Sequence, residues 1–228
     1  VREHASAKAI SNIQKTLKDL NKISRYPIIV IFGCLGQFLN NRFAERIPTA
    51  QIVIGTSNID RLPQYLIEYL SKKKKIFNFD LQPSSPVFDE SGYFRNPSQI
   101  FTVLPITYGC NNFCSYCVVP YVRGREVSRE SSDIRREITN LSMLGVKEVT
   151  LLGQNVNSYN KGRNDLSFPE LLKNINGIDG IERIRFVTSH PKDLSHELIE
   201  CFGTLDKLCE SIHLPFQAGS DRLLKQMN

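Results

Sequence analysis

Three cysteines fall within eight residues, Cys110-Asn-Asn-Phe-Cys114-Ser-Tyr-Cys117. The run Thr102 to Thr107 just before them is predicted to be a strand, so the cysteines sit on a strand-to-helix loop. In parallel α/β barrels that loop lies on the catalytic face. A loop this short can turn three thiolates toward one centre. Three thiolates on a four-iron cluster leave one iron without a protein ligand, open to a substrate or cofactor. Structural zinc is the alternative. It wants four ligands, often in C-x2-C pairs, so the fourth would have to come from His190, His213 or a distant cysteine. Cys201 and Cys209 lie among apolar neighbours and are read as core or incidental residues.

The surroundings of the loop fit a parallel sheet. Helices are expected near 133–144, 168–175 and 194–202, between strands near 102–107, 148–153, 183–188 and 211–214. Ser132 and Asp133 are candidate caps of the first helix, with Gly145 ending it. Ser167-Phe-Pro-Glu170 is a capping box with an early proline, and Gly177 ends that helix. Gly203 is expected to close the third. A further helix starts near Ser220. Four such units suit a parallel barrel or part of one.

Upstream the pattern is helix, strand, helix, strand, helix. Ile10, Ile13, Leu17 and Leu20 mark an amphipathic helix over 5–20. Ile28 to Phe32 is a continuous apolar run, predicted to be a strand buried on both faces. Helical spacing returns over Gln37 to Arg46, and Gln51 to Ile54 is a second strand. A helix over Asp60 to Leu70 places Leu62, Leu66, Ile67 and Leu70 on one stripe. The fold class is therefore α/β: a partial doubly wound N-terminal domain over residues 1–75, then a partial (β/α) barrel over 101–228. Residues 76–100, rich in proline and polar side chains, read as a linker.

Charge and composition exclude several classes. Hydrophobic residues make up 41% and charged residues 23% of the 228, which excludes a disordered chain and a disulfide miniprotein. No apolar run reaches the roughly 18–20 residues of a membrane span. The opening VREHASAKAI has the features of neither a signal nor a transit peptide, and a reducing cytoplasm is the expected compartment. The net charge is +6, and the excess lies in the first 103 residues. The run Lys72-Lys73-Lys74-Lys75 supplies most of it and reads as a solvated helix end; alone it does not establish phosphate binding.

The C-x3-C-x2-C loop resembles the signature of the radical SAM enzymes. The stretch Tyr108 to Arg129 (YGCNNFCSYCVVPYVRGREVSR) is similar to their methylthiotransferase branch, as are Val118-Val119-Pro120-Tyr121 and Val1-Arg2-Glu3. The resemblance covers essentially the whole chain.

That resemblance implies a set of cofactors and roles. Cys110, Cys114 and Cys117 would bind a 4Fe–4S cluster, with S-adenosylmethionine on its open iron. Gly153-Gln154-Asn155 would lie against the cofactor, as would Ser189 in Thr188-Ser189-His190-Pro191. Gln217 and Ser220, in His213-Leu-Pro-Phe-Gln217-Ala-Gly-Ser220, would line the same pocket. A turn-stabilising role is open for each of these, and His190 reads as a turn residue rather than a ligand. Arg123, Arg125 and Arg129 could grip the cofactor, a tRNA backbone or nearby acids such as Glu126 and Glu130.

Cys34, in Phe32-Gly33-Cys34-Leu35-Gly36-Gln37, matches the third ligand of the branch's auxiliary 4Fe–4S cluster; read alone it is a packing cysteine. The other two ligands would lie upstream of Val1, and the branch's tRNA-binding TRAM domain would lie beyond Asn228. The expected whole is an enzyme about twice as long, and this piece alone is expected to be inactive. The implied activity adds a 2-methylthio group to N6-isopentenyladenosine-37 of tRNA, using a low-potential electron donor such as flavodoxin or ferredoxin. Alternatives are threonylcarbamoyladenosine-37 of tRNA, ribosomal protein S12, or a non-catalytic zinc-stabilised nucleic-acid-binding module.

Overall fold

The computed structural model describes residues 3–23, 26–81, 99–162 and 164–228. Val1-Arg2 and most of the expected linker fall outside them. The described residues form two compact units: one of residues 1–87 with 118–124, the other of 88–117 with 125–228.

The first unit is a parallel three-stranded sheet with helices. Its elements are α1 (Glu3–Lys22), β1 (Val30–Phe32), α2 (Cys34–Leu39), α3 (Phe43–Arg46), β2 (Ile52–Ile54), α4 (Leu62–Lys72), β3 (Ile76–Asn78) and α5 (Val119–Arg123). The strand order is β1-β2-β3, all parallel. β2 is central and wholly buried, as an apolar strand covered on both faces should be. The same expectation fails for β1. It is an edge strand, and Phe32 is 52% exposed.

Three further expectations are corrected in this unit. Residues 76–78 are not linker but the third strand. The helix over 37–46 is broken at Asn40, whose φ of 37° ends α2. In α4 the shielded stripe is Leu62, Tyr65, Leu66 and Tyr69, whereas Ile67 and Leu70 are exposed. Tyrosine supplies the apolar face that a count of aliphatic residues overlooks, and the Tyr65 hydroxyl accepts a hydrogen bond from Asn78 Nδ2. Lys72 and Lys73 stand at the C-terminal end of α4, where cations complement the helix dipole.

The second unit is built on β4 (Phe101–Pro105), β5 (Thr107–Tyr108), β6 (Val127–Ser128), α6 (Ser131–Met143), β7 (Glu148–Leu152), α7 (Phe168–Asn176), β8 (Arg183–Phe186), α8 (His196–Thr204) and α9 (Asp221–Met227). β4, β7 and β8 form a parallel sheet in that order, and β5 pairs antiparallel with β6. Leu104, Val149, Leu151, Ile184 and Phe186 pack against Ile134, Ile138, Leu171, Leu172 and Ile175 of the helices. Each buried aliphatic side chain contributes about 1.5–3 kcal/mol. Phe168 and Phe186 meet edge to face at 5.1 Å.

The capping box at Ser167 and Glu170 is present, and Gly145 takes φ +91° just beyond α6. Other ends differ from expectation. α8 runs through Gly203 to Thr204. No strand forms at 211–214. The chain pairs with β8 earlier, by a bridge between Ile184 and Leu208, and then continues through a tight turn in which the Ser211 amide bonds the Cys209 carbonyl. Neither Ser132 nor Asp133 caps α6. Asp165, from a loop 34 residues on, accepts from both the amide and the hydroxyl of Ser131.

Candidate cluster and cofactor site

The cysteine loop starts at the C-terminal end of the β4 to β5 segment. Gly109, at φ +72°, makes the turn, and its amide donates to Gln154 Oε1 at 2.6 Å. Gln154 follows β7 by two residues, so the end of one strand holds the loop leaving its neighbour. The Cys117 amide donates to the Cys114 carbonyl at 2.9 Å, closing a turn between two of the thiols. Phe113 takes φ +46° and lies beneath the Arg125 guanidinium, 4.6 Å from the ring centre.

Cys110 and Cys114 are buried, Cys117 is half-buried, and all three are free thiols. Burial pushes the Cys110 thiol up, against the Asn112 amide that pulls it down; Glu126, Cys117 and Cys114 add to the rise. Three sulfurs close enough to feel one another's charge, in a site poor in water, ionise at a cost that bound cationic iron removes. The donor set therefore fits an iron–sulfur cluster, in which each thiolate binds a different iron. Among the described residues no group of three His, Cys, Asp or Glu side chains is placed to hold a single metal ion.

The other strand ends surround this loop. Asn155 is buried; its Nδ2 donates to Asp193 Oδ2 at 2.6 Å, while its Oδ1 has no partner. The Ser189 hydroxyl is also buried without a partner. A buried acceptor and a buried hydroxyl left open are what a polar ligand can satisfy. Gly153 has a different explanation. A Cβ there would lie 2.0 Å from Thr107 Oγ1, so its missing side chain is required by the packing of β5 against the end of β7. Gln217 is exposed at φ +65°, and Ser220 precedes α9 without a side-chain cap bond.

Arginine roles separate clearly. Arg125 stacks on Phe113. Arg129 is buried and pairs with Glu137 at 2.6 Å, and it also donates to the Pro105 carbonyl. Cys201 is fully buried in the core, as expected.

His190 does more than the turn residue its sequence context suggests. It caps the turn Pro191–Asp193, as a turn residue would, but its Nε2 also lies 3.6 Å from Cys114 Sγ. Burial holds its pKa below the ordinary histidine value. Histidine before proline gave no pattern that could show this, because the contact joins residues 76 apart.

A family comparison now decides the class. The model of the radical SAM superfamily matches residues 104–228. The chain belongs to the radical SAM superfamily. Radical SAM enzymes use a 4Fe–4S cluster and S-adenosylmethionine. Along its whole length the chain is 48% identical to the tRNA-2-methylthio-N(6)-dimethylallyladenosine synthase of Syntrophus aciditrophicus, covering 49% of that protein. The synthases of the same name from Caldicellulosiruptor saccharolyticus and Thermoanaerobacter pseudethanolicus are 48% and 46% identical over the full chain, which covers 48% of each. The chain thus spans about half the length of the curated relatives it matches. In structure it resembles the radical S-adenosylmethionine methyltransferase TsrM of Kitasatospora setae, solved with tryptophan and a SAM analogue bound. The TM-score is 0.63 at 13% identity, over 94% of this chain and 46% of that one. That likeness concerns the fold. Among the described residues no helix is long and apolar enough to cross a membrane.

Proposed function

We propose that this chain carries the radical SAM core, and part of the preceding domain, of a tRNA methylthiotransferase that adds a 2-methylthio group to N6-isopentenyladenosine-37. The observation that carries the proposal is the three-thiol loop at the end of a parallel sheet, in a chain 45–48% identical throughout to synthases of that name. In this reading residues 1–75 together with β3 are the N-terminal domain, the rest of 76–100 is the linker and 101–228 is the core. tRNA is the substrate, a flavodoxin or ferredoxin supplies electrons, and the enzyme works in the cytoplasm.

A bound 4Fe–4S cluster with S-adenosylmethionine would supply radical chemistry at an unactivated C–H, which no protein side chain can break as a base. The protein's own residues hold and orient. Cys110, Cys114 and Cys117 hold the cluster. Gln154 fixes the loop that carries them by accepting from the Gly109 amide. Asn155 Oδ1 and the Ser189 hydroxyl offer polar groups to the cofactor, and Asp193 orients Asn155. Gln217 and Ser220 would line the same cofactor pocket. Cys34, at the first turn of α2, serves as one ligand of the auxiliary cluster.

Anaerobic reconstitution with iron and sulfide tests the assignment. The unsubstituted protein should hold iron and form 5′-deoxyadenosine from S-adenosylmethionine under a strong reductant. Cys114→Ala should lose both, and Cys201→Ala neither. Retention of both by Cys114→Ala refutes the ligand assignment. Mass spectrometry of tRNA nucleosides from a strain lacking the full-length gene tests the substrate: unaltered 2-methylthio-N6-isopentenyladenosine refutes it.

A further inference from the structure

His190 is aimed at the cysteine loop by bonds that have no obvious purpose in the turn alone. Its backbone is clamped twice by the buried Asn157 side chain. Asn157 Nδ2 donates to the His190 carbonyl at 2.9 Å, and the His190 amide donates to Asn157 Oδ1 at 2.8 Å. Asn157 itself sits in the helical turn Val156–Ser158 that follows β7. The backbone is extended, φ −115° and ψ 134°, as a residue before proline prefers.

The ring is fixed as well. His190 Nδ1 accepts from the Lys192 amide at 3.2 Å. A nitrogen that accepts cannot carry the proton, so the proton of the neutral ring sits on Nε2. That nitrogen faces Cys114 Sγ at 3.6 Å, within range for a hydrogen bond to sulfur. The Tyr116 phenol also bonds this sulfur. It belongs to the loop itself and is half exposed, whereas His190 comes from the end of β8.

We propose that His190 is a positioning residue whose Nε2–H donates to the Cys114 sulfur and so raises the reduction potential of the cluster bound there. This rests on the reading that Cys110, Cys114 and Cys117 hold the radical SAM cluster. Reduction adds one electron, delivered by an external low-potential donor, and moves no proton. The added negative charge spreads onto the sulfurs, so an N–H aimed at one of them stabilises the reduced form more than the oxidised form. Asn157 acts one step further out, by holding the histidine.

The test is a potentiometric titration, followed by electron paramagnetic resonance, of the anaerobically reconstituted protein. His190→Leu removes the donor at similar volume, and His190→Gln keeps an N–H. With iron content unchanged, His190→Leu should lower the equilibrium constant for reduction about tenfold, a shift of about 59 mV for one electron. His190→Gln should recover most of it. Asn157→Ala should shift the potential in the same direction by less. An unchanged or higher potential in a fully loaded His190→Leu protein overturns the proposal. If His190→Leu holds no iron, His190→Gln decides. A loaded protein with a near-normal potential supports the donor role, and loss of iron in both variants overturns it. A Cys114→Ala protein that keeps its iron and its resonance signal defeats the underlying cluster reading, whatever His190 does.

Discussion

Gln154 Oε1 accepts the Gly109 amide hydrogen at 2.6 Å, tying the end of β7 to the residue just before Cys110. Gln154→Leu leaves a part-buried amide without its acceptor, at a cost of about 1–3 kcal/mol. Urea denaturation should show that loss, with a lower iron content after reconstitution. Gln154→Glu keeps an oxygen acceptor and should recover most of both. A Leu variant of unchanged stability and iron content would mean that the loop is held from elsewhere.

Gly153 and Thr107 share space that only one Cβ can fill. The added Cβ of Gly153→Ala would stand 2.0 Å from Thr107 Oγ1 and 3.3 Å from Thr107 Cβ. Thr107 is buried and β-branched, so it cannot swing aside freely. Overpacking of this kind costs about 1–3 kcal/mol. Thr107→Ala removes the oxygen, so Gly153→Ala should be much milder in that background. A double-mutant cycle by denaturation measures the coupling. Strict additivity would show that Gly153 is glycine for another reason, such as close approach of a ligand.

The chemistry of the site is more legible in the sequence than the contacts that support it. Cys110, Cys114 and Cys117 were legible because their spacing is local and their chemistry is carried by residue type. The parallel sheets were legible because β7 and β8 alternate or run apolar between well-capped helices. The edge position of β1, by contrast, depends on strand order, which no local pattern contains. Asp165 and His190 were missed for a similar reason. Each acts on a residue far away in the chain, Ser131 and Cys114 respectively. The failed strand at 211–214 shows the same limit: β8 is an edge strand, yet the chain meets it at Leu208, ahead of the apolar segment.

Asp165 links acid stability to the start of α6. Burial raises the Asp165 carboxyl, but hydrogen bonds from the Ser131 hydroxyl and amide, the Leu166 amide and Asn160 outweigh it, and the net pKa is lowered. The contribution is therefore present above the unfolded value and lost as pH falls through the folded one. Stability should drop below about pH 4, the ordinary aspartate range, and Asp165→Asn should flatten that part of the profile. At neutral pH the loss of the cap should cost about 1 kcal/mol. Parallel pH profiles of the two proteins would sink the assignment.

Arg129 and Glu137 form the most deeply buried ion pair among the described residues, 2.6 Å apart with side chains 5% and 2% exposed. Arg129 also donates to the Pro105 carbonyl at 3.1 Å, and its own carbonyl accepts from the Tyr159 hydroxyl at 2.6 Å. The cluster of bonds joins β4, the end of β6, α6 and the turn after β7 behind the candidate site. Removing one partner strands a buried charge, which typically costs about 3–5 kcal/mol. Glu137→Leu and Arg129→Leu should each be severely destabilised. The double change to leucine should be less damaging than the sum, because no lone charge remains. Thermal and urea unfolding of the three variants measures this. Two single variants that unfold like the unsubstituted protein would remove the pair from any role in holding the sheet behind the cysteine loop.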